Sequence, residues 1–568
     1  MHIHIIPNRG SPPTVLLRES FREGAKVGKR TLANLSALSE SQVIAMRALL
    51  RGDELRPVGS MFEIIRSRAH GHVQAASLAM QRLNIASLIA ATSSRERDLV
   101  MAMIAARIVD PGTKLATTRQ WHATTLAEDF GVADASENDL YAAMDWLLER
   151  QDTIQKKLTK RHLEQGSLVL YDLSSSYFEG TTCALAKRGY NRDGKSGKLQ
   201  VNYGLLTDAR GCPVAVSVHP GNTSDSLTFL PEVKRLREDF GIQQMVMVGD
   251  RGMISKKAIA QMRETDGIGW ITALKSASIR VLLEQKHLQM GLFDDRNLVE
   301  IESPDYPGER LIACRNDALA RLRAHKRESL MVATENQLRL IQERVQAGKL
   351  TGQATIGVRI GKVVNRHKVA KHFDLVISDE AFTFTRKAAS ITAEAALDGL
   401  YIIRTSVPEG SMDAPECVRN YKALSNVERA FRSLKTVDLK VRPIHHRTEN
   451  RVRAHIFLCM LAYYVEWHIK EAWREITFAD TELDLKITRD PVAPAERSDL
   501  AKRKAKTKML PDGTLAHSFA SVLKDLATIV RNTCRTHGAD GDAPTFEVLT
   551  TPTAAQSRAL DLVRAIHL

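Results

Sequence analysis

Three carboxylates carry the chemistry that this sequence suggests, and one of them sits in a patterned stretch. Residues Tyr421 to Lys435, YKALSNVERAFRSLK, place Tyr421, Ser425, Glu428, Arg432 and Lys435 three or four positions apart. At about 100° per residue such steps return to one side of a helix. Glu428 would then share its face with a phenol, a hydroxyl and two cations. Leu424, Val427, Phe431 and Leu434 form an adjoining apolar stripe. Such a face can hold a divalent metal ion and grip phosphate oxygens beside it. The same spacing also describes an ordinary amphipathic helix with a Glu428–Arg432 pair.

The other two are Asp172, which closes the apolar run in SLVLYDLSSSYFEG, and Asp250, which closes that in QQMVMVGDRGM. Both are expected at the ends of buried strands. One carboxylate bridging two divalent ions, with others holding each ion from its open side, is what two-metal phosphoryl transfer requires. Mg²⁺ suits a site with few carboxylates, since it keeps waters and binds substrate phosphate directly. Zinc asks for His or Cys at short spacing, and the cysteines here are scattered without a C-x-x-C pair.

The elements that must position these residues follow from a pass along the chain. Residues 1–38 alternate like strands, with NRGSPP and REGA as turns. This small basic β unit reads equally as a phosphate-backbone contact or a solvated hairpin. Residues 39–163 have helical periodicity, interrupted at Pro111-Gly112, and read as an all-α module for which DNA binding is inferred. Over 164–278 the pattern becomes strand, strand, strand, helix, strand, helix, strand. From 279 to 398 that sheet-building pattern stops. Two charged helices and runs such as HFDLVISD read there as an inserted domain. Residues 399–440 resume with GLYIIRTS and the Glu428 helix, and 441–568 read as a helical C-terminal region whose run AKRKAKTK is a solvated charge cluster.

Composition bounds the partners. A chain of 568 residues has room for two to four domains. Its 81 Lys+Arg against 66 Asp+Glu leave a net charge of +15, which suggests a polyanion such as nucleic acid. The N-terminus lacks the layout of a signal peptide, and IFLCMLAYYV is too short to span a bilayer. A soluble, cytoplasmic protein with no membrane partner is the expectation, and scattered cysteines fit a reducing compartment.

Set in order, these motifs resemble the DDE transposases of bacterial insertion sequences, in the insertion-sequence-four superfamily. The glutamate motif of that family is Tyr-x2-Arg-x3-Glu-x6-Lys. Tyr421, Glu428 and Lys435 match it, while Leu424 stands at the arginine position, with Arg432 as a cation on the Glu428 face. The resemblance extends to YDLSSSYFEG, GNTSD at Gly221 to Asp225, VGDRGM, and RPIHH…RAHIFLCMLA, and so covers most of residues 1–470. It implies an α/β RNase H-like catalytic core, a mixed sheet with helices, carrying an inserted α+β domain. Mostly helical N-terminal and C-terminal regions would flank that core. It implies that Asp172 bridges two Mg²⁺ ions, for which Mn²⁺ may substitute, while Asp250 and Glu428 each hold one. Tyr421 and Lys435 would position phosphates of the DNA end. Tyr190 and Arg192, in the basic loop Lys187 to Lys198, are read as contacts near the cleavage point, against a solvated loop.

Asn222 and Asp225 read as turn formers, Glu179 as no ligand, and His455 as a core histidine. Arg251 is left between a phosphate contact and an ion pair. None of the five tryptophans lies in the insertion; Phe293, Tyr306, Phe373, Phe382 and Phe384 are the aromatics there that could stack on a flipped base. The expected activity is DNA cleavage at the terminal inverted repeats and joining of the 3′-OH ends to target DNA. The expected assembly is a homodimer on double-stranded DNA, associated with the nucleoid. A metal-dependent nuclease on the same fold and a catalytically silent, domesticated DNA-binding relative are the alternatives.

Overall fold

The computed structural model describes residues 1–53, 62–195, 197–288, 293–294, 296–536 and 544–568. Two compact units make up the chain, Met1–Arg68 with Val530–Thr551, and Ala69–Ile529 with Pro552–Leu568.

In the first unit, β1 (His2–Ile6), β2 (Thr14–Glu23) and β3 (Lys26–Asn34) form an antiparallel sheet in that order. Ile3 and Val15 cluster with Val43 of the helix Glu40–Arg51. A capping box between Ser39 and Gln42 starts that helix by satisfying two otherwise orphaned N–H groups. β4 (Phe62–Ala69) follows, a strand inside the stretch whose periodicity reads as helical.

An eight-stranded mixed sheet is the frame of the second unit. Its first strands are β5 (Ser167–Tyr177), β6 (Gln200–Thr207), β7 (Pro213–Pro220), β8 (Met245–Val248) and β9 (Ile268–Ala273). Helices Asp225–Glu238 and Lys256–Arg263 separate β7 from β8 and β8 from β9, which is the order expected from the sequence. The sheet then continues with β10 (Leu298–Ile301) and β11 (Arg310–Arg315). After a two-stranded hairpin of its own, β12 (Phe373–Ile377) with β13 (Phe382–Arg386), the chain returns as β14 (Leu400–Thr405). The spatial order is β10-β11-β14-β9-β8-β5-β6-β7. Only the β5/β8 and β8/β9 pairs are parallel.

β10 and β11 lie within 279–398, where the sequence pattern reads as leaving the sheet. They are short, LVEI and RLIACR, and β11 is held by β14 from the far side of residues 316–399. A local pattern carries no trace of such a partner. Between β11 and β14, helices Asp317–Gln346 and Gln353–Arg366 and the β12–β13 hairpin share a separate apolar cluster around Leu338, Ile356, Ile360, Phe373 and Phe382.

Alternation along β5 sends successive side chains to opposite faces. Val169, Tyr171 and Leu173 join the cluster with Phe229, Leu236, Ile259 and Met262 of the two crossover helices. Leu170 joins the other, with Tyr203, Leu205, Val248, Ile271 and the helices Leu424–Arg432 and Glu449–Ala472. The long helix Glu449–Ala472 is buried along Ile456 to Ile469 because helices Gly71–Arg82, Arg95–Val109 and Glu137–Leu148 pack on its far side. Among the described residues no helix is long and apolar enough to cross a membrane. β15 (Val530–Thr536) and β16 (Thr545–Leu549) belong to the first unit, in the order β16-β15-β4. The C-terminal region therefore contributes strands as well as helices.

Candidate active site

Asp172 is not at the end of its strand. The parallel pairing with β8 stops at Leu170↔Val248, but β5 runs on to Tyr177 because β6 continues beside it, with Leu205 opposite Asp172. Ser174 to Ser176 are strand as well, and Ser176 shares a hydrogen bond with the Tyr203 hydroxyl at 2.9 Å. Asp250 does lie past its strand, after Gly249. It is two residues beyond Val248, just as Asp172 is two beyond Leu170. Parallel register therefore brings Asp172 and Asp250 to a similar level, the one on β5 and the other just past the end of neighbouring β8. The backbone carbonyl of Asp250 accepts from the Met253 N–H at 2.9 Å, which holds the turn.

Asp172 shares the sheet face of Leu170, and the helix Leu424–Arg432 packs on this face against β5. The glutamate stretch is not one helix from Tyr421. A helix begins at Ala414, where the Asp413 carboxylate accepts the Glu416 N–H at 2.7 Å and Pro415 stands in the first turn. It breaks at Ala423, restarts over Leu424–Arg432 and ends in a π turn at Ser433–Val437. Val427, Ala430 and Phe431 are buried, and the Phe431 ring meets Tyr203 edge-on at 5.7 Å. Glu428 and Arg432 are exposed, and Leu424 is half-buried against the core.

The β6–β7 turn supports this helix from below. The Asn426 side chain donates to the Ala209 carbonyl at 3.0 Å. Gly211 has φ +91, and a Cβ there would lie 2.7 Å from Asn426 Cβ. Gly211→Ala is thus expected to push the backbone two residues from Glu428, and a displacement near 1 Å costs about 10²-fold in rate. Gly241→Ala, with φ +81 and nothing within 4 Å, carries only the backbone strain. End cleavage by the two variants, compared at equal thermal stability, checks the contact.

The electrostatics couple the same residues. Burial pushes the Asp172 carboxyl up to about 7, and the charges of Asp250 and Glu428 add to the rise. The Leu173 N–H, donated at 2.8 Å, and the Arg192 guanidinium oppose it. Burial, then Asp250 and Glu428, raises the Tyr421 phenol well above its usual range, and Arg251 opposes. The Tyr421 hydroxyl reaches Asp250 Oδ1 at 3.5 Å. Asp172, Asp250, Glu428 and Tyr421 are therefore gathered in one place.

The other candidates form a second layer. Lys435 is buried and donates to Asp193 Oδ1 at 3.1 Å, an oxygen that Arg442 also bonds. Its ammonium faces inward, because the π turn rotates it off the Glu428 face. Arg192 bonds Asp225 at 2.5 Å, and Tyr190 is 82% exposed with the Arg192 guanidinium 5.7 Å from its ring. Asp225 is thus an ion-pair partner as well as the first residue of a helix. Ser196 of this loop lies outside the described residues. Glu179 is paired with Lys198 at 2.8 Å, and His455 is buried with Nε2 3.2 Å from the Val441 carbonyl. Asp193, which ties the basic loop to Lys435 and Arg442, escaped the sequence reading. Its partners are remote in the chain, so no spacing could reveal it.

Three carboxylates that act on one another electrostatically, with Asp172 pushed toward neutrality, fit a hard divalent cation. Among the described residues, the one trio of His, Cys, Asp or Glu with ligand atoms all within 4.8 Å is His162, Cys212 and His468. The carboxylates therefore stand more openly than that. The His–Cys trio is drawn from three distant elements, so short-spacing rules miss it.

A family model described as "Transposase DDE domain" matches residues 164–465, and one described as "IS1634 family transposase, N-terminal domain" matches residues 3–58. No curated protein matches the chain. Among solved structures, the piggyBac transposase synaptic complex with hairpin DNA is 9% identical, covering 80% of this chain and 82% of that one at a TM-score of 0.34. With the DDE domain extending over more than half of its length, the chain belongs to the DDE transposases of insertion sequences.

Proposed function

We propose that the protein binds the terminal inverted repeats of its own element, cleaves the DNA at each end and joins the exposed 3′-OH to target DNA. The observation that carries this reading is the placement of Asp172 on β5 and of Asp250 just past the end of neighbouring β8, with the Glu428 helix packed on the same face of β5. Asp172, Asp250 and Glu428 are the carboxylates that would hold the divalent ions. When bound, two Mg²⁺ or Mn²⁺ ions supply activation of the attacking oxygen and stabilisation of the leaving one. Tyr421, kept protonated by its surroundings, donates toward Asp250 and the adjoining phosphate. Arg432 offers the exposed cation on that side. Lys435 acts indirectly: with Arg442 it anchors Asp193, and so presents Arg192 and Tyr190 to the strand being cut.

Two ends must be paired, so the working form is a homodimer on double-stranded DNA, at the nucleoid. We take the helices and hairpin between β11 and β14, the part of 279–398 that leaves the sheet, as the inserted domain and the helices before residue 163 as the end-binding region. Membership of the insertion-sequence-four superfamily rests on the spacing of Tyr421, Glu428 and Lys435; the N-terminal match is to the IS1634 family. The test is incubation of a labelled element end with plasmid and Mg²⁺. Covalent joining of label to plasmid is expected. Cutting without joining would make the protein a nuclease, and binding without cutting a silent relative.

A further inference from the structure

Beyond the carboxylates, the second unit contains a cavity of about 640 Å³ whose charged lining is cationic but for one residue. Arg107 and Lys114 come from the helical layer, while Arg442, His446 and Arg451 come from the segment after the glutamate helix. Glu137 is the one acid in the lining. Lys114 is 4% exposed and Arg107 7%. Among the described residues neither has a carboxylate partner; Arg107 donates only to the Leu439 carbonyl, at 3.4 Å. Arg451 leans on the Tyr141 ring and reaches Asp145 at 3.5 Å, so its charge is partly met.

Buried cations without counter-charges are costly, and proteins keep them where a ligand supplies the missing anion. The strain is visible in the neighbours. Burial, with Arg107 adding to it, pushes the Lys114 ammonium down to about 7, opposed only by Cys459. Burial, Lys114 and Arg107 together drive His446 far down, to about 3. His446 is therefore neutral and free to donate one N–H. Two guanidinium-type forks, a lysine and an imidazole around one void make a donor set suited to phosphate oxygens.

The cavity is also connected to the catalytic strand. Arg442 bonds Asp193, and Ile444, two residues on, bridges Phe178, one residue past the end of β5. At about 3.3 Å per residue, Phe178 is roughly 20 Å along the strand from Asp172. A duplex cut at the carboxylates would still be passing the protein at that range.

We propose that this cavity is a phosphate-binding site, with Lys114 and Arg107 as its floor, which takes a backbone phosphate of the bound DNA end. The DNA part of this assignment rests on the transposase reading above; the phosphate chemistry does not. The experiment uses the full chain with Lys114→Met, which keeps the length of the side chain and removes its charge, and Lys114→Arg as the conservative partner. Three results are expected. Free Lys114→Met should melt above wild type, since an unpaired buried cation has gone. Its dissociation constant for end DNA should rise about tenfold, and the slope of log K against log salt should become shallower by about one. Inorganic phosphate should raise the melting temperature of wild type and of Lys114→Arg but not of Lys114→Met.

A variant that melts lower than wild type and keeps both DNA affinity and salt slope would overturn the proposal and leave Lys114 as a packing residue. A phosphate-dependent Tm shift lost in Lys114→Met, with an unchanged salt slope, would overturn the DNA assignment and leave a site for free phosphate. If wild type failed to bind end DNA at all, the transposase reading would fall, while the phosphate-dependent Tm shift would still decide the cavity.

Discussion

Asp172→Asn is expected to abolish cleavage of the element's ends while end binding stays within a fewfold of wild type, and Asp250→Asn and Glu428→Gln are expected to behave alike. The fall should be on the order of a thousandfold or more, about 4 kcal/mol in the barrier, since each change removes a charged oxygen from a site built to hold divalent ions. A second readout makes the Asp172 variant more informative. Its carboxyl is pushed up to about 7 in the folded protein, against roughly 4 in an unfolded chain. The folded state therefore binds that proton more tightly, so this group's contribution to stability is present at low pH and declines as pH rises from about 4 to about 7. In metal-free buffer at pH 8, Asp172→Asn should melt above wild type, and Mg²⁺ should narrow the gap. A variant that cut ends at the wild-type rate would end the assignment. One that melted below wild type without metal would show that the three carboxylates do not crowd one another.

The second large effect is expected at Phe431. Its side chain is 5% exposed, buried on the face of β5 and β6 with an edge-on contact to Tyr203. Phe431→Ala should cost about 3–5 kcal/mol through lost burial and the cavity left behind. It should also slow end cleavage well below the loss explained by unfolding, because Glu428 stands three residues away on the helix that Phe431 seats. Leu338→Ala is the control. Leu338 is fully buried in the separate cluster between β11 and β14, and its truncation costs about 2–5 kcal/mol without touching that helix. Thermal unfolding beside single-turnover cleavage separates the two. Equal rates per folded molecule in both variants would mean that Phe431 holds the fold but does not aim the carboxylate.

How much of this was legible in the chain depended on whether the signal was local. The apolar runs before Asp172 and Asp250 identified two buried strands, and the period of three and four around Glu428 identified a helix with its buried side. What failed was each feature decided by a remote partner. β5 runs past Asp172, where its apolar run closes, because β6 pairs with it. β10 and β11 join the sheet through β14, and β4 joins β15 from the opposite end of the chain. The inward turn of Lys435 arises from the π turn and from Asp193, neither of which a helical wheel represents. The cationic cavity needed two segments from opposite sides of the sheet domain in the sequence, and each alone resembles a solvated basic stretch.

The seat of the glutamate helix has a consequence for the birth of the protein. A ribosome adds about 5–20 residues per second, so Asp172 emerges on the order of 10–50 s before Glu428. During that interval the sheet has its crossover helices on one face, but the face destined for Leu424–Arg432 and Glu449–Ala472 is bare apolar surface. A nascent or prematurely terminated chain therefore holds two of its three acids and a sticky, uncovered flank. Cutting competence is a property of the nearly complete polypeptide, and an interrupted one is an aggregation risk before it is a danger to DNA.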